Sequence, residues 1–422
     1  MKKSLVALAV LASIAGAAQA QSTVTLYGRL DQGLLRYNYN DKGASAATYQ
    51  NITKNALVDG GFNGSRFGLR GTEDLGGGVQ AVFNLEAGIN ADQGSSTQGS
   101  TLFGRRSVFG LQSATAGTVL IGRNSSPYDD IAADGAMMET SFFDPSITNN
   151  APQGLVTNAV QTAKSMGDTL LTRGPGGNGN TAWIGYSTRF NNSLRYNTPT
   201  MGGFSASFMY AMGEDNKVGG TPAAPTTTDA SATISAYAKY VGGPLMVSLG
   251  YQSEALGGTQ ATTASGLAGA TTLVGANQIT ASNALVSQKP VLVNTHLGTS
   301  YDLGVVKLGA AVNRAEFKDV LFTDPVTGVT GAISAQNESS LSIAVPVGAA
   351  TYSLGYAAST GDSLGKASGF GLQAKYALSK RTFAYGGYTK VTTYDRLKDA
   401  ITAAGGQVQD VSSYGIGMQH QF

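Results

Sequence analysis

Apolar residues recur at every second position along most of this chain. In the last nine residues, YGIGMQHQF, the residues Tyr414, Ile416, Met418, His420 and Phe422 alternate with Gly415, Gly417, Gln419 and Gln421. A period of two belongs to a β-strand with one apolar and one polar face. Phe204, Ala206, Phe208, Tyr210 and Met212 repeat the pattern, as do Leu245, Val247, Leu249 and Tyr251, and Phe370, Leu372, Ala374, Tyr376 and Leu378. It returns at 24–30, 67–71, 79–89, 234–240, 306–312, 341–347 and 352–358. The joints alternate too. Tight ones lie at 76–78, 202–203, 242–243 and 379–380. Long ones, rich in Gly, Ser, Thr, Asn and Ala, lie at 39–63, 125–179, 214–230, 255–290, 317–337 and 394–410. Short turns at one end and long loops at the other predict an all-β, up-and-down meander of about sixteen strands.

The N-terminus breaks this pattern. Lys2 and Lys3 precede an apolar run from Leu5 to Ala18, which closes on Ala18-Gln19-Ala20. This is the layout of a secretory signal peptide, and the run is shorter than the ~18 residues a spanning helix needs. Residues 1–20 are therefore expected to be removed, leaving 21–422 as a single barrel domain.

Composition says where such a sheet sits. Without Lys2 and Lys3, 26 basic residues face 26 acidic ones, so nothing global points to nucleic acid. Charged residues are 13% of the chain, Gly numbers 57 and Cys is absent, so no disulfide framework holds this exported protein. The polar face carries Gly, Ser, Thr and Gln with isolated charges, which suits a water-filled interior. The apolar face carries Tyr and Phe near strand ends, where bilayer interfaces hold aromatic girdles. A lipid-exposed sheet tolerates no open edge, so the last strand must pair with the first. That predicts a transmembrane antiparallel β-barrel in which Phe422 ends the closing strand with its ring towards lipid.

Particular stretches narrow this further: STVTLYGRLDQGL (22–34), SRFGLRGTEDLGGGVQAVFNLEAG (65–88), FGRRSVFGL (103–111), GTVLIGR (117–123), KYALSKRTFAYGGY (375–388) and the terminal Phe422. With them the chain resembles the general-diffusion porins of Gram-negative outer membranes, particularly the β-proteobacterial type. The resemblance implies a sixteen-stranded homotrimeric barrel with short periplasmic turns, long extracellular loops and a third loop folded into the lumen. It implies passive diffusion of ions and small hydrophilic solutes, and a terminal aromatic strand, ending in Phe422, that the outer-membrane assembly machinery reads.

Parity places Arg29, Arg66, Arg70, Arg106, Arg195, Lys239, Lys307, Lys375 and Lys390 on the polar face, with Asp31, Glu86, Tyr27, Tyr237 and Tyr388. Arg105 and Arg123 break parity and belong at the outer rim or in a bulge. His296 is expected in the lumen and His420 at the lipid interface. Asp129, Asp130, Asp134 and Glu139 form the one acidic cluster. Their spacing does not fit an EF-hand; a solvated loop and a weak Ca²⁺ site both remain open. The resemblance makes this segment the inward loop, pinned by Met137, Met138, Phe142, Phe143 and Pro145, although it departs from the PEFG signature of enterobacterial members. A basic wall at Arg66, Arg70 and Arg106 facing the loop acids predicts a constriction with a transverse field and a weak anion preference. The alternative is a substrate-specific porin for a small anionic solute. Two His and no coherent triad argue against an enzyme, and no metal site is expected. SLGK (363–366) lacks the companions of a serine-nucleophile motif, and GPGGNGN (174–180) lacks the strand and helix of a phosphate loop.

Overall fold

The protein is described by a computed structural model. It covers residues 23–41, 50–99, 101–139, 141–146, 182–213, 217–221, 224–228, 232–255, 259–261, 291–318, 321–323, 330–332, 335–361, 365–403 and 405–422. The expected signal peptide, SLGK in part, and GPGGNGN lie outside these residues.

Sixteen antiparallel strands close into a barrel. β1 is Thr23–Asp41. β2 runs in two segments, Gln50–Asp59 and Arg66–Gly76. β3 is Val79–Asn90, β4 Arg106–Ser113, β5 Gly117–Ser125, β6 Arg189–Asn197, β7 Phe204–Ala211 and β8 Thr233–Gly242. β9 is Leu245–Ala255, β10 Val291–Asp302, β11 Lys307–Lys318, β12 Gln336–Val347, β13 Ala350–Gly361, β14 Gly365–Ala377, β15 Thr382–Val391 and β16 Val411–Gln421. Each pairs with its neighbours in sequence, and β16 pairs with β1 from Arg29↔Gln421 to Tyr37↔Ser413. The turn between β2 and β3 shows why the tight joints are glycines: Gly76, Gly77 and Gly78 have φ of +83°, +63° and +78°, which side chains disfavour.

Both segments of β2 pair with β1, at Gln32–Asp41 and at Thr23–Arg29, so 60–65 interrupts one strand. The upper segment, QNITKNALVD, lies inside the predicted loop 39–63. Its upper half is mostly exposed and polar, so no alternation advertised it. Asp31 staples the interruption. Its carboxylate accepts from the Phe62 N–H (3.0 Å), the Asn63 N–H (2.6 Å), the Tyr385 hydroxyl (2.5 Å) and Gln419 Nε2 (3.1 Å). One buried side chain thus ties β1, β2, β15 and β16 at the seam where the barrel closes.

The outer face is the apolar one. Leu26, Leu34, Leu249, Leu341, Tyr356, Leu372, Ile416 and Met418 are all exposed on it. A soluble protein would not leave so continuous an apolar belt in water. Phe422 ends the chain as its alternation predicted. Its N–H and C=O exchange hydrogen bonds with Gly28 at 3.1 Å each, and its ring occupies the place of a Gly28 side chain, 2.5 Å from where a Cβ would stand.

Candidate functional site: a lumen with two unlike walls

The third long loop leaves β5 and turns inward at once. Ser126 caps the short helix α1 (Pro127–Ile131), its Oγ accepting from the Asp129 N–H, and Pro127 starts the turn with φ already set. The Tyr128 N–H donates to Ser235 Oγ on β8 (3.0 Å), and its hydroxyl to Asn313 on β11 (2.6 Å). The Met137 N–H donates to Ser342 Oγ on β12 (2.9 Å), and the Phe142 N–H to the Gly61 carbonyl (2.9 Å). The loop therefore runs inside the barrel along β8 to β15.

A groove made of missing side chains receives it. A Cβ at Gly298 would meet the Asp134 carbonyl, at Gly309 the Gly135 carbonyl, at Gly371 the Phe143 carbonyl, and at Gly387 the Phe143 ring. Loop backbone presses directly on strand backbone, which only glycine permits. At the far end Met138, Phe142 and Phe143 are buried with Leu35, Tyr37, Val58, Phe62 and Tyr385. Each buried large apolar side chain contributes about 1.5–3 kcal/mol, so this small core anchors the loop. Glu139, at the bend between groove and core, holds φ +55°, a left-handed conformation that its neighbours must impose.

The loop acids turn to the wall behind them. Asp130 pairs with Arg195 on β6, Asp134 with Lys239 on β8 (2.9 Å) and Glu139 with Lys375 on β14 (2.5 Å). Asp129 accepts from the Tyr186 hydroxyl (2.9 Å); burial holds its carboxyl above the usual range, against the pull of Arg189. This corrects the expectation of an acidic loop facing Arg66, Arg70 and Arg106: three of the four acids are matched one to one by cations of the wall they lie on. No three His, Cys, Asp or Glu side chains converge among the described residues. Asp144 is buried. Its Oδ1 accepts from the Ser146 N–H (2.8 Å) and Oγ (2.6 Å), and its Oδ2 has no partner. Burial pushes its carboxyl up to about 6, and the Ser146 bonds offset only part of that.

The wall of β1–β4 is different. Arg29 and Arg66 are cross-strand partners. Glu86, on β3, lies 3.8 Å from Arg66 Nη1 and 2.7 Å from Arg105 Nε, and accepts from the Tyr27 hydroxyl at 3.0 Å. Arg70 stacks over the Tyr27 ring, 5.1 Å from its centroid. Arg106 is the cross-strand partner of Glu86 and donates to Ser125 Oγ (3.2 Å). Arg66 feels the charges of Arg105, Arg29 and Arg189 against that of Glu86. Half a dozen guanidiniums thus share one nearby carboxylate.

The structure places Arg29, Arg66, Arg70, Arg106, Arg195, Lys239, Lys307 and Lys375 on the inner face, with Tyr27 and Tyr237. Tyr388 and Lys390 are corrections. Tyr385 and Gly387 face inward against Phe143, so Tyr388 and Lys390 face outward, Tyr388 beside Phe370 and Lys390 3.3 Å from Asp410. The loop core makes that patch of the inner face apolar, which inverts the usual polarity. Arg105 is another correction: it precedes β4 and points into the lumen. Arg123 does sit at an irregularity, between Gly122 and Asn124, on the outer face. Arg189 escaped notice because it stands where the loop rejoins the barrel, before any alternation begins. His296 is buried beside Tyr128 and Trp183, and His420 is exposed on the outer face with Nδ1 2.9 Å from Thr382 Oγ1.

A closed barrel, apolar outside and polar within, narrowed by an inward loop, defines a membrane pore. The comparisons name the kind. The Gram-negative porin profile matches residues 7–396, and the chain belongs to that family. It is 33% identical to outer membrane porin protein 32 of Delftia acidovorans and 31% identical to an outer membrane porin of Bordetella pertussis, each over the full length of both chains. An anion-selective porin from Comamonas acidovorans superposes with a TM-score of 0.63 at 28% identity, over 95% of this chain and all of that one. The protein is therefore a porin of the Gram-negative outer membrane.

Proposed function

We propose that this porin passes small hydrophilic solutes by passive diffusion with a modest preference for anions, and has no enzymatic role. The observation that carries the preference is the unequal charge of the two walls. The loop acids Asp130, Asp134 and Glu139 are each matched by a wall cation. Arg29, Arg66, Arg70, Arg105 and Arg106 have Glu86 as their one close acid. Fixed charge lining a wet pore biases which ion enters. The anion selectivity printed for the Comamonas protein agrees with this reading. The zero-current potential across a planar bilayer under a KCl gradient tests it. It should favour chloride most in dilute electrolyte and fade towards 1 M, where the Debye length falls from ~8 Å to ~3 Å. Plain cation selectivity at low salt overturns it.

We place export and assembly on the same footing. Removal of 1–20 gives a mature chain starting at Gln21, checked by N-terminal sequencing. The barrel works as a homotrimer, checked by mobility on unheated gels. Phe422 serves recognition by the assembly machinery as well as closure. Its deletion should leave unassembled protein in the periplasm, and a normal trimer yield at native expression counts against it. A weak Ca²⁺ at the loop acids would have to displace Lys239 or Lys375, so selectivity should not respond to millimolar Ca²⁺ beyond its ionic strength.

A further inference from the structure

The outer face is not uniformly smooth. Over β3–β7 it holds an apolar groove of about 860 Å³, lined by Phe83, Leu85, Phe109, Ile121, Leu194 and Met212. Its origin is a fault in strand pairing. The β5–β6 register shifts between Gly122 and Asn124, and opposite it Asn192 adopts φ +50°. The two strands part there, and the surface sinks between them. The groove runs from the middle of the wall to the long-loop end, where Met212 leaves β7. In this family that end faces outward, so the groove lies in the outer leaflet.

At the same end stands Arg123. Its cross-strand partner Ser107 lines the groove, as does Asn192. Arg123 Nε donates to the Gly104 carbonyl and Nη1 to Asn191 Oδ1, both at 2.6 Å. Nη2 has no hydrogen-bond partner, and no carboxylate pairs with the side chain among the described residues. A guanidinium at the edge of hydrocarbon without a counter-ion is a costly arrangement. An anion supplied by the membrane would complete it. Every other described cation of the loop-bearing wall has such a partner from the chain itself.

We propose that the groove binds a phosphate-bearing acyl lipid of the outer leaflet. One acyl chain would lie along Phe109, Ile121 and Leu194, and the phosphate would meet Arg123. Guanidinium and phosphate match in shape and charge, and lipid phosphate is the anion present at that depth. The chain fills a depression that straight, fluid lipid packs poorly. The other candidate occupant is a second copy of this chain. It would have to bring a carboxylate to Arg123 at the height of the lipid headgroups.

The test is native mass spectrometry of the detergent-extracted, correctly folded protein with diphosphoryl lipid A, its dephosphorylated form, and a phosphatidylcholine. The wild type should retain the diphosphoryl lipid roughly tenfold better than either comparator, the scale of a charge-assisted pair. Arg123→Gln should lose that preference while keeping residual lipid. Leu194→Trp, which fills the groove, should lose both. Unchanged single-channel conductance would show that both variants fold. Equal retention of all three lipids by the wild type overturns the proposal without any variant. So does efficient disulfide cross-linking between protomers of Ile121→Cys, which would give the groove to a second copy.

Discussion

The two walls of the lumen solve opposite problems. The wall of β8–β15 gives up side chains. Gly298, Gly309, Gly371 and Gly387 clear a path for loop backbone, and Lys239 and Lys375 neutralise what the loop brings. The wall of β1–β4 accumulates them, crowding arginines around Glu86 and Tyr27. One wall spends its charge on holding the loop, and the other keeps its charge facing water. The acidic cluster that stands out in the sequence is thereby turned away from the solute path. In a narrow pore, which charges are already paired matters more than how many are present.

Breaking the groove gives the largest expected effect. At Gly371 a valine would place its side chain on the Phe143 carbonyl, with backbone on both sides and no flexible neighbour to yield. Overpacking of this kind costs about 3 kcal/mol. The barrel ladder does not pass through the loop, so Gly371→Val should fold, release the loop end, and raise single-channel conductance while weakening selectivity. Unchanged conductance with ordinary heat-modifiability would mean that the loop is held without the groove.

The loop's far end offers a smaller, pH-dependent effect. Asp144 titrates near 4 when unfolded and at about 6 when folded, so the folded state binds its proton more tightly. Between those values the native state carries more protons than the unfolded one. Stability is therefore greatest below pH 4, falls as the pH rises towards 6, and is level beyond. The two-unit gap sets the change on the order of 2–3 kcal/mol. Asp144→Asn keeps an acceptor for Ser146 and removes the titration. Urea midpoints at pH 4.5 and 7 should differ by less in this variant than in the wild type; an equal difference refutes the assignment.

The same contrast explains what could be read in advance. Strand alternation is local, because each side chain chooses lipid or water by its own chemistry, so the barrel, its closure and the inner-face arginines of β1–β4 were legible. Partnerships are not local. Nothing near Glu139 points to Lys375, 236 residues away. Tyr388 and Lys390 were misplaced for a related reason: Phe142 and Phe143 turn a patch of lumen into core, and parity cannot see a loop arriving from another part of the chain. Arg105 lies outside any strand, where parity has no meaning.

Sharpening the arginine wall gives the smallest effect and the most direct test of its role. Glu86 is half-buried, with its carboxylate shared between Arg66, Arg105 and Tyr27. Two readings of that contact differ in one measurement. If Glu86 only braces the barrel, Glu86→Gln and Arg66→Gln both lower stability, and both leave the zero-current potential where it was. If the wall sets selectivity, the two substitutions move that potential in opposite directions. Glu86→Gln removes the one acid near the cluster and should increase the preference for chloride; Arg66→Gln should decrease it. A single half-exposed charge in a wet pore is worth only ~1 kcal/mol, so each shift is a few millivolts to a few tens in dilute salt and vanishes near 1 M. The comparison must therefore be made at low ionic strength, with the two variants side by side. Shifts of the same sign would mean that the wall bends around each substitution and that its charge count does not govern which ion passes.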